Sequence, residues 1–109
     1  MRSSGLYMLA LISGSLVSSP LSAVERSKAT VQETLVDSRP CFFFILNGVS
    51  EADPAIPNGP WFAIPTSASN YQVMAATVMS AKLSGSSLHV LTDGTKSCGW
   101  ATASTVGAQ

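Results

Sequence analysis

Three aromatic residues of this chain could bind an uncharged ligand by stacking, namely Trp61, Phe62 and Trp100. Sugars stack their apolar faces on aromatic rings, and Trp suits a position where one side is apolar and the other is wet. The alternative is core packing, because a small domain has few large side chains to place inside. We predict these three as binding residues and leave core packing open for each.

The residues that could perform acid–base or nucleophilic chemistry are few and isolated. His89 is the only histidine, and it lies in a predicted strand with no evident Asp partner. Glu51 and Asp53 could pair as acid and base or bind calcium, but both chemistries need more partners than this pair supplies. We therefore expect a solvated loop there, and no Gly-x-Ser-x-Gly elbow is present. The sequence predicts no catalytic residue, no metal site and no cofactor, so the protein is not expected to be an enzyme.

Cys41 and Cys98 are the only cysteines. An even pair in a small exported domain predicts one disulfide. Two free thiols and an intermolecular bridge are the alternatives. Two cysteines with one distant histidine match no zinc spacing.

Residues 1–23 have the pattern of a secretory signal peptide. Arg2 precedes an apolar run over residues 6–17, and a short polar segment ends at Ala23. The apolar run is too short to span a bilayer comfortably. We expect cleavage after Ala23, a single mature domain over residues 24–109 with no membrane span, and a secreted or periplasmic location.

The charge balance argues against nucleic acid as a partner. Six basic residues match six acidic ones, which gives a formal net charge of zero. Phosphate binding requires a basic patch, and docking on anionic lipid requires one as well. Few charges and many Ser, Thr and Ala residues favour self-association or an uncharged ligand.

The pattern along the chain predicts an α+β domain of about five strands and one helix. Strands are predicted at residues 29–36, 41–46, 88–91 and 100–106, with a short extended piece at 61–64 and a polar leader at 25–28. Four prolines between residues 49 and 65 argue against a helix or a central strand there. Apolar residues at 71, 74, 75, 78 and 79 predict a helix over residues 71–83 that ends at Gly85. Asp93-Gly94 predicts a turn.

The run Phe42-Phe43-Phe44 sends aromatic rings to both faces of one strand. One helix covers only one face of a sheet. The other face must line a barrel interior, lie under the proline-rich segment or meet another subunit. Self-association is therefore a hypothesis of its own.

Several strings resemble a group of short exported bacterial proteins. They are the cysteine-led strand Cys41-Phe42-Phe43-Phe44, residues 60–65 (PWFAIP), residues 81–85 (AKLSG) and Cys98-Gly99. The order of elements is also similar to the OB-fold B subunits of AB-type toxins, of the subtilase-cytotoxin and pertussis-like kind. That resemblance implies a small OB-like barrel that is cross-linked by a disulfide. It also implies a ring of subunits that binds cell-surface glycans. No sugar-contacting residue carries over by position.

Together these features predict an exported, non-catalytic binding module with a glycan or a protein as ligand. A structural or envelope-associated protein with no small ligand is the alternative. A small hydrolase has little support because histidine and acidic residues are scarce, and an inhibitor of one has little support because the sequence offers no reactive loop.

Overall fold

The part of the chain that the structure describes forms five strands and one helix. A computed structural model describes residues 24–57 and 59–108, with side chains described from residue 29 onward. The elements are β1 (Val24–Val36), β2 (Cys41–Leu46), β3 (Phe62–Pro65), α1 (Tyr71–Ser84), β4 (Ser87–Ser97) and β5 (Trp100–Ala108). The predicted α+β class is confirmed. The predicted signal peptide over residues 1–23 lies outside the described residues.

The strands pair in the order β1-β2-β3-β5-β4, and β4 returns to β1, so the sheet closes on itself as a barrel. All pairings are antiparallel except that of β3 with β5, which is parallel and short, with the register pairs Phe62↔Ala101 and Ala63↔Thr102. The β3–β5 pairing thus closes the barrel through two residues of each strand.

The main core contains one face of every strand together with the packed side of α1. Phe42 and Phe44 point into this core, and Phe44 stacks on Phe62 with ring centroids 5.0 Å apart. Phe43 belongs to a second, smaller cluster on the opposite face of β2. The alternation predicted for the Phe run is therefore confirmed, and its inner face is the barrel interior.

Helix α1 agrees with the helix predicted over residues 71–83. It ends at Gly85, which has a φ of 72° and donates its backbone N–H to the carbonyl of Ala81. A left-handed backbone conformation at the end of a helix is most easily adopted by glycine. Met74 and Val78 are buried as the spacing predicts, but Met79 is 45 % exposed. The buried face of the helix is thus narrower than the apolar pattern indicates.

The turn predicted at Asp93-Gly94 is wrong. These residues lie inside β4, where the pairing with β5 shifts register between Thr92 and Lys96. The chain reverses instead at Cys98-Gly99, whose φ angles of 54° and 88° suit a two-residue hairpin turn. Asp-Gly serves equally well in a bulge, because Gly94 supplies a φ of 82°.

Two other boundaries differ from the prediction. The polar leader at residues 25–28 is part of β1, which begins at Val24 and pairs there with Thr92 of β4. A central strand does form within the proline-rich segment, since β3 lies between β2 and β5. Pro65 is tolerated because it is the last residue of that strand.

Candidate binding site

An aromatic platform covers the outer face of β2 and β3. We define the platform as Phe43, Trp61 and Trp100. The Phe43 and Trp61 ring centroids lie 6.4 Å apart with the planes at 85°, an edge-to-face contact. The Trp61 and Trp100 centroids also lie 6.4 Å apart, at 54°. Phe43 is fully buried, whereas both Trp side chains keep part of their surface in solvent. The platform therefore has a buried base and two accessible indole rings.

The loop over residues 47–61 positions Trp61. It closes on itself, because the Ala52 amide donates to the Gly59 carbonyl at 3.0 Å and the Gly59 amide donates to Oε1 of Glu51 at 3.3 Å. A β-carbon at Gly59 would lie 3.5 Å from Cζ3 of Trp100. The loop backbone at Gly59 thus lies against the indole ring of Trp100, and the loop ends at Trp61.

The predicted disulfide between Cys41 and Cys98 is present. It joins the first residue of β2 to the β4–β5 turn, and both cysteines pack in the same cluster as Phe43 and Trp100. The bridge therefore fixes the turn that directly precedes Trp100 against the strand that carries Phe43.

Arg39 lies at the edge of the platform. Its guanidinium carbon is 4.4 Å from the centroid of the Phe43 ring, a cation–π contact. The same guanidinium donates to both carboxylate oxygens of Asp37. These hydrogen bonds lower the pKa of Asp37 and raise the pKa of Arg39. The charge of Arg39 is consequently balanced within the chain.

A row of hydroxyl groups continues the same outer face onto β5 and β4. We define the hydroxyl row as Thr95, Thr102 and Ser97. Thr102 Oγ1 lies 3.0 Å from Thr95 Oγ1 and 2.7 Å from Ser97 Oγ. Thr95 also donates to Oδ1 of Asp93 through its hydroxyl at 2.6 Å and its amide at 3.0 Å. The sequence does not predict this row, because Asp93-Gly94 indicates a turn rather than the bulge that assembles the row.

The register places the row beside the platform. Phe43 pairs with Ala63, and Ala63 pairs with Thr102, so these three side chains point to one face of the sheet. Ser97 pairs with Trp100 across the hairpin turn. Stacking groups and hydroxyl groups therefore meet on one continuous surface.

Phe62 does not join its predicted partners Trp61 and Trp100. It is fully buried in the main core against Phe44. The strand alternation that leaves Trp61 outside turns its neighbour inside. Phe62 therefore offers a ligand no surface to stack on.

Asp53 is fully buried, and the prediction of a solvated loop is wrong for it. Its carboxylate accepts the Thr92 hydroxyl at 2.9 Å and the Ala55 amide at 3.0 Å. The bond from Thr92 fastens the loop over residues 47–61 to β4, and the bond from Ala55 lies within the loop. The carboxylate is a structural anchor, because its burial is compensated by two donors.

The other candidates for chemistry lie apart from the platform. His89 is partly buried on β4, opposite Gly107. Across residues 24–57 and 59–108, no cluster of three or more His, Cys, Asp or Glu side chains could hold a metal ion. In the same described part of the chain, no helix is long and apolar enough to cross a membrane.

A cavity of about 490 Å³ lies along α1, away from the platform. Its walls are side chains of the helix, most of them Ala, Ser or Thr, together with Ser86 and with Ala108 at the end of β5. The hydroxyl of Ser84 donates to the Ser80 carbonyl and bonds the Ser86 hydroxyl. These hydroxyls are satisfied locally, and the groove offers a ligand little beyond apolar contact.

Self-association remains a prediction. The prediction rests on an aromatic face of β2 with no helix to cover it. Within the chain, however, Trp61 and Arg39 cover Phe43 on that face. The exposed apolar residues of the described chain are Leu35, Val36, Val73, Met79 and Leu83. They lie at the end of β1 and on α1.

Comparison with models of known protein families finds no match, and comparison with curated proteins finds none either. The resemblance to exported bacterial proteins and to toxin B subunits therefore stays a prediction.

Proposed function

We propose that this protein is an exported, non-catalytic, OB-like binding module that binds glycans on its aromatic platform. The observation that carries the proposal is the pair of part-exposed indole rings of Trp61 and Trp100, which contact each other while Trp61 also contacts the buried ring of Phe43. A rigid aromatic surface at a boundary with water suits the apolar face of a sugar.

The topology supports the position of this site. OB-folds bind oligonucleotides and oligosaccharides on the face of strands 2 and 3, between the β1–β2 and β4–β5 loops. Here the platform covers the outer face of β2 and β3. Arg39 belongs to the β1–β2 connection, and Cys98 belongs to the β4–β5 turn. The aromatic residues thus lie where this architecture places ligands.

Charge favours a sugar over a nucleic acid. Single-stranded nucleic acids stack on aromatic residues within a positively charged groove. The whole chain has a net charge of zero, and Arg39 at the platform is already paired with Asp37. An uncharged glycan needs no such compensation.

Two observations support a non-catalytic role. Cys41 and Cys98 are joined to each other, so neither offers a thiolate nucleophile. The buried carboxylate of Asp53 is occupied by Thr92 and the Ala55 amide. The disulfide also fits an oxidising compartment, which supports the proposed secreted or periplasmic location.

Binding of the oxidised protein to an array of neutral and acidic glycans tests the proposal. Trp61→Ala and Trp100→Ala should each abolish retention. Leu83→Ala is the matched control, because it removes an apolar side chain that is 86 % exposed on α1. Absence of retention by the wild type, or equal retention by the Trp variants, would overturn the proposal and favour a structural or envelope-associated role.

A further inference from the structure

We propose that the hydroxyl row, with Asp93 at its far end, is the polar half of the glycan site and selects a neutral sugar whose hydroxyl group hydrogen-bonds Ser97. This inference rests on the proposed function, since the sugar must lie on the platform for the row to reach it. It adds the residues that set the orientation and the charge of the ligand.

Hydrogen bonds join the row from Asp93 to Ser97. The Thr95 hydroxyl is the donor to both of its neighbours, a carboxylate oxygen of Asp93 at 2.6 Å and Oγ1 of Thr102 at 3.0 Å. Oγ1 of Thr102 and Oγ of Ser97 lie 2.7 Å apart, and either hydroxyl can donate to the other. The row is therefore a continuous chain of hydrogen bonds with Asp93 at one end and Ser97 at the other.

The consequence is a polar group at the end of the row nearest Trp100. The Ser97 hydroxyl has one proton and two lone pairs, and its bond with Thr102 uses only one of these, so the others remain for a ligand. Ser97 and Trp100 are direct cross-strand partners, which places their β-carbons about 5 Å apart. A sugar ring resting on Trp100 therefore has its hydroxyl groups within reach of Ser97.

The bulge in β4 is what assembles the row. Residues 93–95 stand opposite Thr102 because the register shifts between Thr92 and Lys96. Bulges commonly redirect a side chain next to a functional site. The Thr95 amide donates to the carboxylate of Asp93, two residues earlier. This bond holds the Thr95 hydroxyl toward Thr102.

The same arrangement disfavours an anionic ligand. The carboxylate of Asp93 at the end of the row would repel a carboxylate or phosphate. Arg39 is committed to Asp37 and to the Phe43 ring. Lys96 pairs with Ala101 of the main core, so it belongs to the opposite face of the hairpin from Ser97.

The test measures affinities on an array of neutral and acidic oligosaccharides for Ser97→Ala, Thr95→Val and Asp93→Asn. Thr105→Val is the matched control, because Thr105 is an exposed β5 residue outside the row. Loss of one hydrogen bond should weaken binding of neutral members about fivefold to tenfold in the row variants. The control should bind like the wild type, and unfolding midpoints should confirm that all variants fold.

Three outcomes would overturn the inference, and they separate it from the proposed function. If the row variants bind the same members as strongly as Thr105→Val while Trp61→Ala loses binding, the row has no role and the platform remains. If acidic members bind best and depend on Arg39, the selection for neutral sugars is wrong. If the wild type retains no glycan, the proposed function fails and the inference fails with it.

Discussion

The guanidinium of Arg39 lies 4.4 Å above the Phe43 ring, and it is simultaneously bonded to the carboxylate of Asp37 two residues earlier in the chain. The Arg39 guanidinium thereby covers one side of the Phe43 ring, and its charge is balanced by Asp37. Trp61 contacts the same ring edge-on. An aromatic side chain on the outer face of a strand thus becomes fully buried within one chain.

The Asp37–Arg39 pair predicts a measurable titration. Hydrogen bonding to Arg39 lowers the pKa of Asp37 below its ordinary value of 3.8. A carboxyl whose pKa is depressed by folding stabilises the fold above its unfolded pKa, and loses that stabilisation as the pH falls through its folded pKa. Proton titration of the Asp37 carboxyl by NMR should give a midpoint below 3.8 in the wild type, and Arg39→Ala should raise it. An unchanged midpoint in Arg39→Ala would contradict the pairing.

Removal of the disulfide should cost much of the stability of this small domain. Cys41 and Cys98 are 57 residues apart in the chain. The chain-entropy relation gives about 4 kcal/mol for a loop of that length. The double variant Cys41→Ser/Cys98→Ser should therefore unfold at much lower denaturant concentration than the oxidised protein. A loss below about 1 kcal/mol would show that the bridge contributes little to folding.

The bond between Thr92 and Asp53 should contribute to stability without touching the platform. Thr92→Val removes the hydroxyl that donates to the buried Asp53 carboxylate at 2.9 Å. Leaving a buried acceptor short of a partner costs about 1–3 kcal/mol. Thr92→Ser keeps the hydroxyl and should lose distinctly less in the same denaturation experiment. Equal losses in the two variants would assign the effect to packing instead.

Glycines Gly85 and Gly107 form a matched pair for testing the helix end. A β-carbon meets nothing within 4 Å at either position, but only Gly85 has a positive φ, of 72°. Gly85→Ala should lower the free energy of unfolding by about 1 kcal/mol, because alanine is strained in the left-handed region. Gly107→Ala should be close to neutral. Similar effects at both positions would argue against a left-handed cap at Gly85.

Much of this fold follows from local pattern in the sequence. The run Cys41–Leu46 has too few residues for a helix and alternates two faces, so its strand and the opposite placement of Phe42 and Phe43 were predictable. The helix Tyr71–Ser84 was predictable from its spacing and from Gly85. The disulfide followed from an even pair of cysteines in an expected oxidising compartment.

The remainder depends on tertiary context that local pattern does not contain. Asp-Gly suits a turn and a bulge equally, so the turn at Cys98-Gly99 and the hydroxyl row could not be read from residues 93–95. The position of Asp53 in a proline-rich loop indicates a solvated side chain. Its burial depends on the hydrogen bond from Thr92, a residue that is distant in the sequence. Trp61 and Phe62 are adjacent and both aromatic, and the alternation that separates them required knowing where β3 begins.

The most direct test of the platform uses the only two tryptophans of the chain, Trp61 and Trp100, as its reporters. Selectively excited Trp emission of the oxidised protein should be titrated with a panel of neutral oligosaccharides up to about millimolar concentration, which detects binding as weak as about −4 kcal/mol. Glycan stacking on the platform predicts a saturable change in emission that remains in Leu83→Ala and weakens in both Trp61→Phe and Trp100→Phe. Constant emission across the whole panel would contradict a glycan site at this surface.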